Sequence, residues 1–248
     1  MILVKCDYCK KEIYRDKYDV SHNKNLFCNK KCRAKYQSIQ YRKYNINLNY
    51  FDDINSEDKY YFLGLLCADG NLSERRITIQ LHKKDIDILL EMNKYMENET
   101  PISNKNTYPK LYINNENMKN KLIQYGITEC KTFTLEFPKI FINDKNVNHF
   151  IRGYFDGDGS IYKHKLKNYN KYAFGLDIMG NYNFLKIMQD ILVKNCDLNF
   201  TKISKQKNIY RLRYGGNKQM KKIYHYLYED SKIYMKRKYN IFKQILEN

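Results

Sequence analysis

The stretch Phe150-Ile151-Arg152-Gly153-Tyr154-Phe155-Asp156-Gly157-Asp158-Gly159-Ser160-Ile161 sets an apolar helical pattern around two glycines, and few packings satisfy both. Phe150, Ile151, Tyr154 and Phe155 recur at helical spacing, with Gly153 and Gly157 four residues apart among them. Glycine in a helix costs roughly 1 kcal/mol against alanine, and that cost is offset where a second backbone comes too close for a Cβ. The helix is expected to stop at Asp158-Gly159, which leaves a carboxylate at the negative end of the helix dipole. An acid there is unfavourable unless a cation compensates it, so the stretch predicts a tightly paired helix ending at a metal site.

A matching partner lies 89 residues earlier (158 − 69), in Phe62-Leu63-Gly64-Leu65-Leu66-Cys67-Ala68-Asp69-Gly70. Aligned without gaps, Gly64 falls on Gly153, Ala68 on Gly157, Asp69 on Asp158 and Gly70 on Gly159. Asp-Gly alone is a common turn dipeptide, but the whole pattern repeated at one period predicts two copies of one structural unit.

These two stretches resemble the paired motifs of the LAGLIDADG (DOD-type) homing endonucleases, in the single-chain form that carries both. The resemblance covers roughly Tyr50 to the C-terminus, and the first copy departs from the motif at Cys67, where an acid is usual. It implies an α+β fold: a pseudo-twofold pair of αββαββα units whose antiparallel sheets bind DNA. The function it implies is site-specific double-strand cleavage, as in intron homing, by a monomer with internal pseudo-twofold symmetry. In the family the metal-binding acid is the last of the motif, which maps onto Asp69 and Asp158. Family members also carry a lysine in each half, after its last helix. Lys131 is the candidate in the first half and Lys238 its counterpart by position.

That chemistry is consistent with the residues themselves. Two carboxylates brought together would repel unless divalent cations, Mg²⁺ or Mn²⁺, sat between them. Such metals polarise a phosphoryl oxygen, activate a water and stabilise the leaving oxygen. A non-cleaving nucleic-acid binder on the same fold, an RNA maturase or a transcriptional regulator, is the alternative, and retention of both acids favours cleavage.

Composition agrees with a polyanionic partner. The 248 residues carry a formal net charge of +18, which draws phosphate backbones in a salt-dependent way. A+T-rich coding would also enrich lysine, asparagine and tyrosine, so charge alone does not decide the matter. No apolar run reaches the ~18 residues of a membrane span. Met1-Ile2-Leu3-Val4 is followed at once by Lys5 and Cys6, unlike a signal peptide. An intracellular location, cytoplasmic or nucleoid-associated, with no membrane partner, is expected. The chain has neither Cys or Ser at position 1 nor a terminal His-Asn, so it reads as free-standing rather than as an intein.

The N-terminus is expected to fold separately. Cys6-x2-Cys9 and Cys28-x3-Cys32 are two close pairs eighteen residues apart, a spacing that suits tetrahedral zinc. His22 lacks a paired spacing and is not needed once four thiolates close the site. A helix starting near Lys31 is expected to continue to Tyr44, through Arg33, Lys35, Arg42 and Lys43 and interleaved with Tyr36 and Tyr41. Such a helix suits either a solvated face or a phosphate backbone. The predicted domains are therefore a zinc module over 1–44, a linker over 45–55, and the two-repeat domain over 56–248, with halves 56–145 and 146–248.

Within each half, strands of alternating polarity follow the motif helix. Arg76, Gln80 and His82 in the first half, and Lys202, Lys205, Arg211 and Arg213 in the second, are the candidate DNA-binding residues. They alternate with Ile77, Ile79, Leu81, Ile203 and Leu212, which predicts one buried face and one open basic face per sheet. Arg, Lys, Gln and Asn on such a face can read base edges in a major groove.

The cysteine reading is checked by metal analysis. Purified protein is expected to hold about one zinc per chain and to lose it when any one of Cys6, Cys9, Cys28 or Cys32 becomes serine. Less than about half a zinc per chain would refute the site.

Overall fold

Helix α3 (Glu57–Asp69) is buried at every position from Tyr60 to Ala68. A helix apolar on all sides has no solvent face and belongs at the centre of a core. Its partner, α6 (Val147–Asp158), is buried from Phe150 to Asp156. The two cross through the glycines. A Cβ on Gly64 would overlap the carbonyl oxygen of Phe150, and a Cβ on Gly153 would overlap that of Tyr61. Tyr61 and Phe150 occupy equivalent positions in the two copies, so the contact is reciprocal about a pseudo-twofold axis. One turn on, a Cβ on Gly157 would overlap the Cβ of Ala68.

The structure is a computed structural model and describes residues 1–40, 44–74, 76–103, 107–129, 134–165 and 172–247. It divides into two compact units, Met1–Asn45 and Ile46–Asn248. In the first, the hairpin β1 (Ile2–Lys5) and β2 (Glu12–Arg15) pairs antiparallel and is followed by α1 (Lys17–His22) and α2 (Lys30–Gln40). Positions 41–43 of the expected basic helix lie outside the described residues. The only wholly buried hydrophobic side chain of this unit, among the described residues, is Cys6. Apolar burial alone contributes little here, as a metal-stabilised module requires.

The second unit begins before the predicted boundary. Tyr50 and Phe51, within the expected linker, are buried in its core. The Tyr50 hydroxyl donates to Asp58. Ser56 stands at the N-cap of α3 but makes no side-chain cap bond, leaving Glu57 and Asp58 to face the positive end of the helix.

In the first half, β3 (Gly70–Ser73), β4 (Arg76–Gln80) and β5 (Lys110–Ile113) form an antiparallel sheet in the order β3-β4-β5. In the second, β6 (Gly159–Lys165), β7 (Tyr172–Gly180), β8 (Ser204–Gln206) and β9 (Ile209–Gly215) are ordered β6-β7-β9-β8. Among the described residues the first sheet's counterpart of β8 is one bridge, Ser103 to Lys110. The helices α4 (Ile86–Tyr95) and α5 (Glu116–Gln124) follow in the first half, α7 (Tyr182–Cys196) and α8 (Asn217–Tyr228) in the second. The second half adds a further helix after these, α9 (Lys236–Leu246), and the first a short 3-10 turn at Lys139–Phe141.

Leu90 is exposed, because the inward stripe of α4 runs through Ile88, Leu89 and Met92. Strand β8 begins only at Ser204, and the carbonyl of Thr201 is taken by the buried Gln189 amide at 2.8 Å.

The helix crossing predicts an unequal response to one added methyl. Gly64→Ala and Gly153→Ala are each expected to lose about 3 kcal/mol or more in urea unfolding. Gly215→Ala, whose Cβ would meet only the Phe174 carbonyl at 3.9 Å, is expected to stay within about 1 kcal/mol of wild type.

Candidate active site and sheet faces

The crossing delivers Asp69 and Asp158 to the same end of the paired helices. The position of a Cβ on Gly157 lies 3.0 Å from Asp69 Oδ2, so the Asp69 carboxylate reaches the terminal turn of α6. Asp69 is half-buried and Asp158 exposed, and each ends a helix that runs directly into a strand at Gly70 or Gly159. Each acid borders a recess. Around Asp69 a 410 Å³ recess is lined by Gln80, His82, Asp85, Tyr108 and Arg237. Around Asp158 a smaller one of 140 Å³ is lined by Cys67, Leu135, Tyr154 and Asn181. Two hard-oxygen donors at negative helix ends, open to solvent on one side, suit a divalent cation of the magnesium type.

Of the two candidate lysines, Lys131 lies outside the described residues. Lys238 is not exposed to a phosphate. It is buried, and its ammonium donates to the carbonyls of Phe155 (2.6 Å), Asp156 (2.6 Å) and Gly159 (2.5 Å). An ammonium has three protons, and here all three are held by the C-terminal end of α6. In this structure Lys238 caps the helix that carries Asp158. The neighbouring Arg237 takes the exposed place instead, lining the Asp69 recess with its Nε 2.9 Å from both carboxylate oxygens of the buried Asp85.

Around that cap lies a polar network that the motif pattern did not reveal. Asp156 is fully buried and accepts from Tyr61 (2.8 Å), Tyr228 (2.6 Å) and the Met235 amide (2.8 Å). Burial raises its pKa, against the opposing pull of Lys238 and these donors. Arg152, also fully buried, donates to Glu57 (2.7 Å), to the carbonyls of Leu227 (2.8 Å) and Ile233 (2.9 Å), and to His149 Nδ1 (2.8 Å). Burial and the Arg152 charge hold the His149 pKa down to about 4, which leaves the ring neutral and able to accept. Arg152 and Asp156 thus strap the segment between α8 and α9 onto α6. The one available signal was Asp156 itself, which aligns with Cys67.

The sheet faces follow the registers. On the first sheet Leu72, Ile77, Ile79, Leu111 and Ile113 are buried, while Asn71, Thr78 and Tyr112 share a row on the other face, as do Gln80 and Lys110. Arg76 is exposed on that open face, stacked 5.1 Å over Tyr112 and donating to Asn114. His82 lies just beyond β4, where its Nδ1 caps the Lys84 amide and its ring meets Tyr108 edge-on. On the second sheet Arg213 is opposite Asp177 and bound to it through two bonds, 2.6 and 2.9 Å. Arg211 shares the face with its guanidinium 3.9 Å from the same acid. Lys202 is exposed but precedes β8. Lys205 does not belong with the arginines: it opposes Tyr210, one residue out of phase with Arg211, and so projects from the other face.

In the first unit the sulfurs of Cys6, Cys9, Cys28 and Cys32 all lie within 4.8 Å of one another. The Cys9–Cys28 and Cys28–Cys32 pairs are at 3.6 and 3.3 Å. Four thiols converging from two turns match the edge lengths of a tetrahedral zinc–thiolate site. Among the described residues, no helix is long and apolar enough to cross a membrane.

No protein-family model matches this chain, and no curated protein matches it. Solved structures do. The LAGLIDADG meganuclease I-AabMI bound to uncleaved DNA matches with a TM-score of 0.54 at 11% identity, over 76% of this chain and 88% of that one. The LAGLIDADG homing endonuclease I-SmaMI bound to cleaved DNA matches with a TM-score of 0.54 at 13% identity, over 78% and 88%. I-SmaMI bound to an uncleaved target in the presence of calcium ions gives 0.50 at 12%, over 78% and 90%. The chain has the LAGLIDADG meganuclease fold, reached by a sequence far from these relatives.

The buried lysine gives a pH signature. Burial pulls its pKa down to about 8, below the ~10.4 of a solvated lysine. Between these values the unfolded chain binds more protons, so this group makes stability rise with pH. Relative to Lys238→Met, the wild type is expected to gain about 1 kcal/mol per pH unit from pH 8 to 10 in chemical unfolding. Parallel pH profiles of the two proteins would show that burial does not lower the Lys238 pKa.

Proposed function

We propose that the chain is a site-specific double-strand DNA endonuclease of the LAGLIDADG homing type, with Met1–Tyr44 as a zinc module and the two repeats as the cutting domain. The observation that carries this reading is the reciprocal glycine crossing, which brings one acid from each repeat to a shared helix end. The DNA-bound relatives support a double-stranded partner, and the calcium-containing one supports a divalent-metal site.

Asp69 and Asp158 would hold Mg²⁺ or Mn²⁺, which supplies charge for the phosphoryl oxygens and lowers the pKa of bound water. Arg237 is assigned to the developing negative charge near Asp69, held by Asp85 until a phosphate competes for it. Lys131 keeps the equivalent role in the other half. Lys238 acts by position, fixing the turn that carries Asp158. Arg76, Gln80, Arg211 and Arg213 are assigned to the DNA surface, with Lys110 and Tyr112 added from the same open face. His82 and Lys202 are assigned to its margins.

The test is incubation with Mg²⁺ and a plasmid carrying the uninterrupted host locus. Wild type is expected to give linear product, and Asp69→Asn or Asp158→Asn to slow it by about 10²-fold or more. Binding without linear product, in wild type and both variants alike, would leave a non-cleaving binder as the better reading.

A further inference from the structure

The first unit contains a feature that cutting does not use. A groove of 720 Å³ runs between β2, the segment 23–27 and α2. Four cations line it, Arg15, Lys24, Lys30 and Arg33, against the single acid Asp19. Its base is fixed: the Phe27 and Tyr36 rings lie 5.2 Å apart, and the Asn25 amide donates to the Tyr36 hydroxyl at 3.1 Å. Arg15 is anchored on the Phe27 carbonyl. Helix α2, sequence KKCRAKYQSIQ, has no acid anywhere along it. Among the described residues no lysine or arginine of Met1–Asn45 takes part in an ion pair, whereas Arg152, Arg213 and Arg237 of the second unit all do.

Like charges gathered in a concave, prearranged site without counter-charges raise the local potential and select a polyanion. We propose that this groove binds the phosphate backbone of double-stranded DNA, as a second interface separate from the sheets. The proposal rests on the DNA reading above for its choice of polyanion. It sharpens the expectation from sequence, since the contact surface is a groove that includes Arg15 and Lys24, rather than one face of a basic helix. Asparagine and glutamine on the lining add donors for phosphate and sugar oxygens without adding charge. Such contacts position a protein on the duplex and carry no base information.

Each neutralised phosphate steepens the dependence of log affinity on log salt by about 0.9, which makes the groove countable. The full chain with zinc bound is titrated against a random-sequence DNA duplex between about 50 and 200 mM KCl. The variant Lys24→Ala/Lys30→Ala/Arg33→Ala is expected to lose about 2 to 3 from the slope and at least about tenfold in affinity. Lys5→Ala/Lys11→Ala/Lys17→Ala removes the same charge from exposed positions outside the groove, and should change the slope by less than about 1. Arg33→Ala alone, expected to lose about 1 from the slope, covers the case in which the triple variant loses its zinc. An unchanged slope in zinc-replete groove variants, or an equal loss in the outside variant, overturns the proposal. A larger loss on an RNA duplex than on DNA overturns the choice of DNA. Loss of slope in a protein that never cuts would retain the groove and remove the endonuclease reading, so the two fail separately.

Discussion

The fold depends on two helix backbones touching where side chains would normally keep them apart. Gly64 lies against the Phe150 carbonyl and Gly153 against that of Tyr61. Because the contact is the same in both directions, it fixes rotation and register together. A slide of one residue would bring a large side chain against a carbonyl. Apolar residues around α3, and those of α6 such as Phe150, Ile151, Tyr154 and Phe155, join the contact to the core of both halves. The spacing of the two acids is therefore a property of the core, set by packing rather than by any loop.

The two halves share this seam but are not equal. Among the described residues the second sheet has four strands and the first has three. The second half extends past its last repeat helix into α9, and this extension turns back to hold the end of α6. Asp156 and Arg152 can be buried only because each is met by several partners, as a polar group withdrawn from water requires. Cys67, at the position equivalent to Asp156, is buried in the hydrophobic core. At this equivalent position one half is held by packing and the other by a polar network.

Much of this was legible in the residues. The glycine pairs and Asp-Gly ends located both motif helices, and the alternation of Arg76, Thr78 and Gln80 with Ile77 and Ile79 gave the first sheet's faces. Cysteine spacing was enough to bring four thiols together. The failures share one cause, which is that single-residue phase depends on tertiary partners. Lys205 and Lys202 have opposite parity, and only the pairing with Tyr210 and Arg211 shows which shares the arginine face. Lys238 and Arg237 are adjacent in a run of basic residues, and composition cannot tell which is buried. The carbonyls at the end of α6 determine that Lys238 is the one.

The pairing of Arg213 with Asp177 has a further consequence for what that open sheet face can bind. An arginine already satisfied by two bonds to a carboxylate gains little from any ligand that merely offers acceptors. It exchanges partners only where the incoming geometry is as good as the fork it leaves. At that row any ligand must compete with the resting pair, and the carboxylate sets the standard that its geometry has to meet.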